Sequence, residues 1–190
     1  EEKGVADLIE AIRLLSRTHP AVTALIVGDG QHLGKMQSMS QDAQLADRVT
    51  FVGWVEPEHI RTYLRAADVF VGPSRTAPNG WVEAQGLTFL EAMAADCPVI
   101  ATRTGGVVDS VVDGQSGLFV DERAPEQIAA AVRRLHSDPD LAQRLKATAQ
   151  KRVRCGFSRE STAARFSDLF TNLLPPPGSS YKTSARATQI

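Results

Sequence analysis

Cysteine is scarce in this sequence: among 190 residues only Cys97 and Cys155 carry a thiol. They lie far apart in different kinds of segment, which fits neither a disulfide framework nor a C-x-x-C metal or redox pair. A reducing, cytoplasmic setting suits them. Surplus basic charge is lacking too. With 21 Lys and Arg against 22 Asp and Glu, the formal net charge is -1, too little to neutralise a polyphosphate backbone over a broad surface, so nucleic acid is not an expected partner. No apolar run approaches the roughly 20 residues of a membrane helix, and nothing resembling a signal peptide precedes Lys3. The four histidines, His19, His32, His59 and His136, are scattered on polar segments without ligand spacing. What the chain does have is 43% hydrophobic residues, enough for one substantial core in one domain.

Short apolar runs alternate with stretches of helical period. Val5, Leu8, Ile9, Ile12 and Leu15 recur at three and four, predicting an amphipathic helix over 5–15. Runs at 22–27, 49–52, 68–71, 98–102 and 118–120 predict strands. Helices are expected from beyond Gly30 to about 46, then over 57–66, 87–95, 106–112, 125–136 and 141–154. Ser158 is placed to cap a last helix reaching about residue 174. Strands alternating with helices pair in parallel with both sheet faces covered. The expected fold is α/β, a Rossmann-like doubly wound parallel sheet over residues 1–173, with 174–190 a disordered tail.

Ligands of open α/β sheets bind beyond the carboxyl ends of strands, near a switch point. Three such ends carry glycine: Gly28 with Gly30, Gly53, and the loop reaching Gly86. Glycine lets a ligand approach bare backbone, although it also serves plain tight turns. Gly28-x-Gly30-xxx-Gly34 loosely resembles a dinucleotide fingerprint. Its spacing is wrong, and no acidic residue closes the strand about 20 residues on, which disfavours a nicotinamide dehydrogenase.

The sharpest segment is 79–100, NGWVEAQGLTFLEAMAADCPVI. A polar loop delivers Glu83 and Gly86, and a helix opens with Leu87 and Thr88 and carries Glu91 one turn in. The amino end of a helix offers free N–H groups and a positive dipole end, a seat for a diphosphate. Glu91 can accept two hydrogen bonds from the vicinal hydroxyls of a ribose. Glu83 lies before the helix, where a hexose would sit. Most glutamates are solvated surface charges; against that, Glu91 sits in an alanine-rich apolar stretch where an unpaired carboxylate would be costly. Asp138-Pro139-Asp140 is a DxD, yet it falls between two helices, where it is expected to cap the second rather than hold a metal.

Glu83-x7-Glu91 within EAQGLTFLEAMAADCPVIATRTGG closely resembles the E-x7-E signature of glycosyltransferase family 4, retaining enzymes of GT-B fold. Lys3-Gly4 with DLIEAIRLL, LIVGDG at 25–30, VTFVGWV at 49–55, ADVFVGPS at 67–74 and DGQSGLFVD at 113–121 agree with it. The resemblance spans residues 1–173 and implies the donor-binding, C-terminal half of such an enzyme. It implies that Glu91 holds the ribose, that Glu83 lies near the transferred sugar, and that Gly86, Leu87 and Thr88 meet the distal phosphate. Lys3, with an arginine five residues before it, would neutralise the diphosphate. Gly28 and Gly30 would line the donor cleft, with Val52 and Gly53 flanking the base. The family's first strand, ending in that arginine, should precede Glu1, as should the acceptor domain. Asp96 stands where the family usually has glycine, which questions the helix-to-strand turn.

The implied reaction is transfer of a sugar from a nucleoside diphosphate to an acceptor hydroxyl with retention, without metal or other cofactor, in polysaccharide or glycolipid synthesis. The acceptor sugar or lipid would be read by the N-terminal domain, through which a peripheral position at a membrane is implied. Two other classes stay open: a nucleotide-binding module inactive on its own, and a GT-B sugar-nucleotide epimerase.

Overall fold

A computed structural model of the chain describes residues 2–174, so the tail beyond Leu174 lies outside the described residues. The elements run α1 (Val5–Ser16), β1 (Ala24–Val27), α2 (Leu33–Asp42), β2 (Val49–Gly53), α3 (Pro57–Ala66), β3 (Phe70–Gly72), α4 (Leu87–Ala94), β4 (Val99–Thr102), α5 (Val107–Ser110), β5 (Leu118–Val120), α6 (Pro125–Ser137), α7 (Pro139–Gly156) and α8 (Arg159–Leu173). All strand pairs are parallel, as the alternation of strand and helix requires. The strands form a pair, β1–β2, and a triplet, β3–β4–β5, rather than one continuous ladder.

Two apolar clusters cover the two faces of the sheet. On β4, Ile100 joins Ile9, Ile12 and Leu15 of α1 and Ile128 of α6. Its neighbours Val99 and Ala101 join Leu64 of α3, Phe89 and Met93 of α4 and Ala149 of α7. The alternation of side chains along a strand sends successive residues into opposite layers. Helices on both faces of a parallel sheet make this a doubly wound α/β domain.

The expected α3 and β5 bounds are met, while other ends shift for local reasons. The helix expected to reach residue 46 stops at Asp42, because Gln44 turns into the left-handed region at φ 57. α7 starts at Pro139, ahead of the expected 141: Pro139 fills the first turn, and Asp138 Oδ1 accepts the Leu141 N–H at 2.8 Å. The DxD is thus a helix cap. Ser158 likewise caps α8, accepting from Ser161 N–H at 3.1 Å. Asp96 adopts the left-handed conformation, φ 66, that a glycine would supply, and its carboxylate meets Lys146 at 3.2 Å and Gln150 at 3.1 Å. The helix-to-strand turn is kept.

Candidate functional site

The carboxyl ends of β1, β3 and β4 and the amino ends of α1 and α4 converge at one end of the sheet. Lys3 sits in the turn that opens α1, where Gly4 lies so close to Pro73 that an added Cβ would stand 1.8 Å from its carbonyl oxygen. This contact ties the lysine to the end of β3. Its ammonium pairs with Glu83, and it lies 5.1 Å from the centre of the Trp81 ring. Only 17% of the Glu83 side chain is exposed.

The loop carrying Glu83 rests on Gly105 and Gly106. Gly106 N–H donates to the Glu83 carbonyl at 2.9 Å. A Cβ on Gly105 would fall 2.0 Å from that same oxygen, and one on Gly106 1.9 Å from the carbonyl oxygen of Ala84. Ser110 Oγ donates to the Gln85 carbonyl at 3.1 Å. The loop then enters α4 through Gly86, buried and left-handed at φ 66, with the Phe89 ring filling the space between Gly86 and Gly72. Leu87 and Thr88 are both exposed in the first turn, so this helix end is open to solvent and can receive an anion on its free N–H groups.

A second brace holds the stretch after β3. Arg75 forms a forked pair with the buried Asp7 of α1, its Nε donating at 2.6 Å, and Arg75 N–H donates to the Glu2 carbonyl. Glu122 accepts the Thr76 hydroxyl at 2.7 Å and its N–H at 2.9 Å. The hydroxyl bond is the main reason the Glu122 carboxyl is held below its ordinary range, with the backbone N–H, Thr104 and Arg123 adding to it against a desolvation cost.

Lys3, Glu83, Gly86 and Thr88 border a single cavity, together with Asp29 at the end of β1. Gly28 and Gly53 are brought together elsewhere: Gly28 N–H donates to the Gly53 carbonyl at 2.8 Å, joining the ends of β1 and β2, with Val52 half-buried beside them. Leu87, Glu91, Gly30, Val52 and Gly53 do not line the cavity of Lys3 and Glu83. Glu91 follows Thr88 by three positions and Leu87 by four, and all three are exposed, which puts them on one outward face of α4. Its exposure removes the burial argument made for Glu91: among water, an unpaired carboxylate costs little. Gly105 and Gly106 had no part in the sequence reading beyond lying at the start of the helix expected over 106–112, although RTGG lies within the very stretch that carries the resemblance. Trp81, Arg75, Asp7 and Glu122 were missed, because a partner distant in sequence leaves no periodic signal.

Among the described residues, no three of His, Cys, Asp and Glu gather as a metal site, and no helix is long and apolar enough to cross a membrane.

The model of the family described as glycosyl transferases group 1 matches residues 1–152. The chain belongs to that family. A GDP-mannose-dependent alpha-(1-6)-phosphatidylinositol monomannoside mannosyltransferase of Mycobacterium tuberculosis is 35% identical over 168 residues, 88% of this chain and 44% of that protein. The chain therefore spans less than half the length of this relative. Among solved structures, Anabaena HepE in complex with UDP-glucose superposes with a TM-score of 0.79 at 25% identity, over 90% of this chain and 46% of the other. The C-terminal domain of the group 1 protein LpcC from Francisella tularensis gives 0.72 at 28% identity, over 83% and 81%. The group 1 domain described above is one half of a GT-B fold.

Proposed function

We propose that residues 1–173 bind a nucleoside-diphosphate sugar and serve as the donor half of a retaining, metal-independent hexosyltransferase. The observation that carries this reading is the meeting of Lys3, Glu83, Gly86 and Thr88 at one cavity mouth beside the open amino end of α4. In this reading the diphosphate lies against the first-turn amides and Lys3. The bond from the anomeric carbon to the distal phosphate oxygen breaks, its electron pair stays on the diphosphate, the acceptor hydroxyl oxygen bonds to that carbon on the same face, and its proton passes to the departing phosphate oxygen. Lys3 and the amides stabilise the charge gathering on the leaving group, a task preorganised dipoles perform without a metal. Glu83 faces the sugar, and Glu91, on the exposed face of α4, accepts the ribose hydroxyls. Gly28 and Gly30 with Val52 and Gly53 border the base.

The relatives support this setting. One is named for GDP-mannose and a phosphatidylinositol mannoside acceptor, and another was solved with UDP-glucose. Polysaccharide or glycolipid assembly is accordingly the proposed context, with the acceptor read by a second domain. Alone, the donor half binds nucleotide but does not transfer, since half a cleft cannot align an acceptor for attack.

A thermal-shift panel with UDP, GDP and NAD tests the reading. A nucleoside diphosphate is expected to raise the melting midpoint and NAD to leave it in place. Glu91→Ala should weaken nucleotide binding by about tenfold or more, the loss of hydrogen bonds to a charged acceptor. An undiminished shift in that variant removes the ribose assignment.

A further inference from the structure

We propose that Trp81 is a positioning residue for the leaving group: its indole holds the Lys3 ammonium at the cavity mouth, so that a diphosphate meets a cation already in place. The inference deepens the donor reading given above and rests on it.

Lys3 by itself is poorly prepared for that task. Its side chain is 64% exposed and ends in an ion pair with Glu83. A long, solvated lysine loses much rotamer freedom when it is fixed, and a surface ion pair does little to offset that loss. The face of the Trp81 ring supplies a further restraint. The ammonium lies over it, 5.1 Å from the ring centre, inside the roughly 6 Å at which a cation is drawn to an aromatic quadrupole. At an exposed site this attraction favours the held arrangement by about two- to fivefold.

The ring serves neither the core nor the cavity wall. Trp81 is 38% exposed, belongs to neither apolar cluster, and does not line the cavity that Lys3 and Glu83 border. Any influence on a bound donor therefore runs through Lys3. Yet the indole stands on a closed turn. Ala77 N–H donates to the Trp81 carbonyl at 2.9 Å and Gly80 N–H to the Ala77 carbonyl at 2.9 Å, while the Asn79 side chain accepts the Trp81 N–H at 3.0 Å. Gly80 takes φ 82, a conformation that a side chain would resist. The foot of the turn is tied down too, because Ala77 is buried and the Thr76 carbonyl accepts from Arg123 Nη2 at 2.9 Å. A turn bonded in this way fixes where the indole stands, and the Lys3 ammonium is what it faces.

An aromatic ring suits this place better than a second carboxylate. It attracts the ammonium without carrying net charge, so it does not repel incoming phosphates, and the ammonium keeps hydrogens free to donate. Those hydrogens serve Glu83 while the site is empty and phosphate oxygens once it is filled. As charge gathers on the leaving group, Lys3 stabilises it without first having to be ordered, which is the condition for preorganised electrostatic stabilisation.

The test uses the 190-residue chain and two readouts. In NMR spectra without ligand, the ring current of Trp81 should displace the Lys3 side-chain methylene next to the ammonium upfield. Trp81→Leu should return that signal to the ordinary lysine position, and Trp81→Phe should keep part of the displacement. In titrations with UDP and GDP, Trp81→Leu should raise the Kd of the preferred nucleotide by about two- to fivefold, and Trp81→Phe should restore part of the affinity. In a Lys3→Met background, Trp81→Leu should cause no further loss. The proposal fails if Trp81→Leu leaves the Lys3 signal displaced or the nucleotide affinity unchanged. It fails equally if the loss persists undiminished in Lys3→Met, which would mark a general disturbance of the loop. A parent chain that binds neither nucleotide removes the donor reading and this inference with it, whereas a parent that binds while Trp81→Leu matches it removes this inference alone.

Discussion

β4 and β1 are both four-residue runs of mostly apolar, largely branched side chains, yet β4 is completely buried while Leu25 of β1 is 52% exposed. Local sequence does not separate them. β4 has a strand on each edge and a helical layer on each face, whereas among the described residues β1 has one strand neighbour. Glycines repeat the contrast. On the β3–β5 side a Cβ at Gly72, Gly86, Gly105, Gly106 or Gly117 would strike a neighbour within 2.6 Å, while at Gly28, Gly30, Gly34 and Gly53 it would meet nothing within 4 Å. These five glycines allow close approach, to backbone at Gly105 and Gly106 and to side chains at Gly72, Gly86 and Gly117, while the four around β1 and β2 leave bare backbone facing open space. The first is built for rigidity and the second for approach.

The contrast is sharpest at Ile100, fully buried between both neighbours of β4. Ile100→Ala should lower unfolding free energy by about 3 kcal/mol in a denaturant titration. A cost below about 1 kcal/mol would mean that the three-stranded half is no better packed than β1.

Next in size is Gly106→Ala. The new methyl would sit 1.9 Å from the Ala84 carbonyl oxygen, and overpacking of this kind costs about 1–3 kcal/mol. Because the backbone that must move carries Glu83, the nucleotide-dependent thermal shift should vanish as well. Gly30→Ala, with open space around it, should change stability by no more than about 0.5 kcal/mol. Equal losses in the two variants would erase the distinction between the two uses of glycine.

Much of this architecture was legible beforehand, and the reasons are physical. The bounds of α3 and β5 agreed because Pro57 fixes a first helical turn and because 118–120 is a short apolar run between turns. The cap by Asp138 was readable from its place ahead of an apolar period. Strand starts at 22 and 68 were placed two residues early, since the ladder partners begin only at Ala24 and Phe70. Lys3, Glu83, Gly86 and Thr88, which border one cavity, were named beforehand with the help of the family resemblance, but the contacts that support them were not. Asp7 with Arg75, and Thr76 with Glu122, join residues 68 and 46 positions apart, and no local period encodes such pairs.

Glu122 tests the rigid side through pH. Its carboxyl is held below the ordinary 4.5 chiefly by the Thr76 hydroxyl, so the folded state binds this proton less readily than the unfolded one. The resulting stability is present above pH 4.5 and is lost as pH falls through the lower native value. Glu122→Gln should cost about 1 kcal/mol at neutral pH. Melting midpoints of the variant and the parent should converge on acidification; a constant gap would assign the loss to packing rather than charge.

Leu25→Ala is the smallest expected effect and bears most directly on why the two strands differ. With half its surface already in water, the truncation should cost about 0.5 kcal/mol in the chain as it stands, far below Ile100→Ala. If neighbours rather than sequence set this value, pairing the open edge of β1 must raise it. The same substitution, made in a chain carrying an apolar run ahead of Glu1, should then cost about 2 kcal/mol or more, as a buried leucine does. A cost that stays small in the extended chain would place the cause of Leu25's exposure in β1 itself.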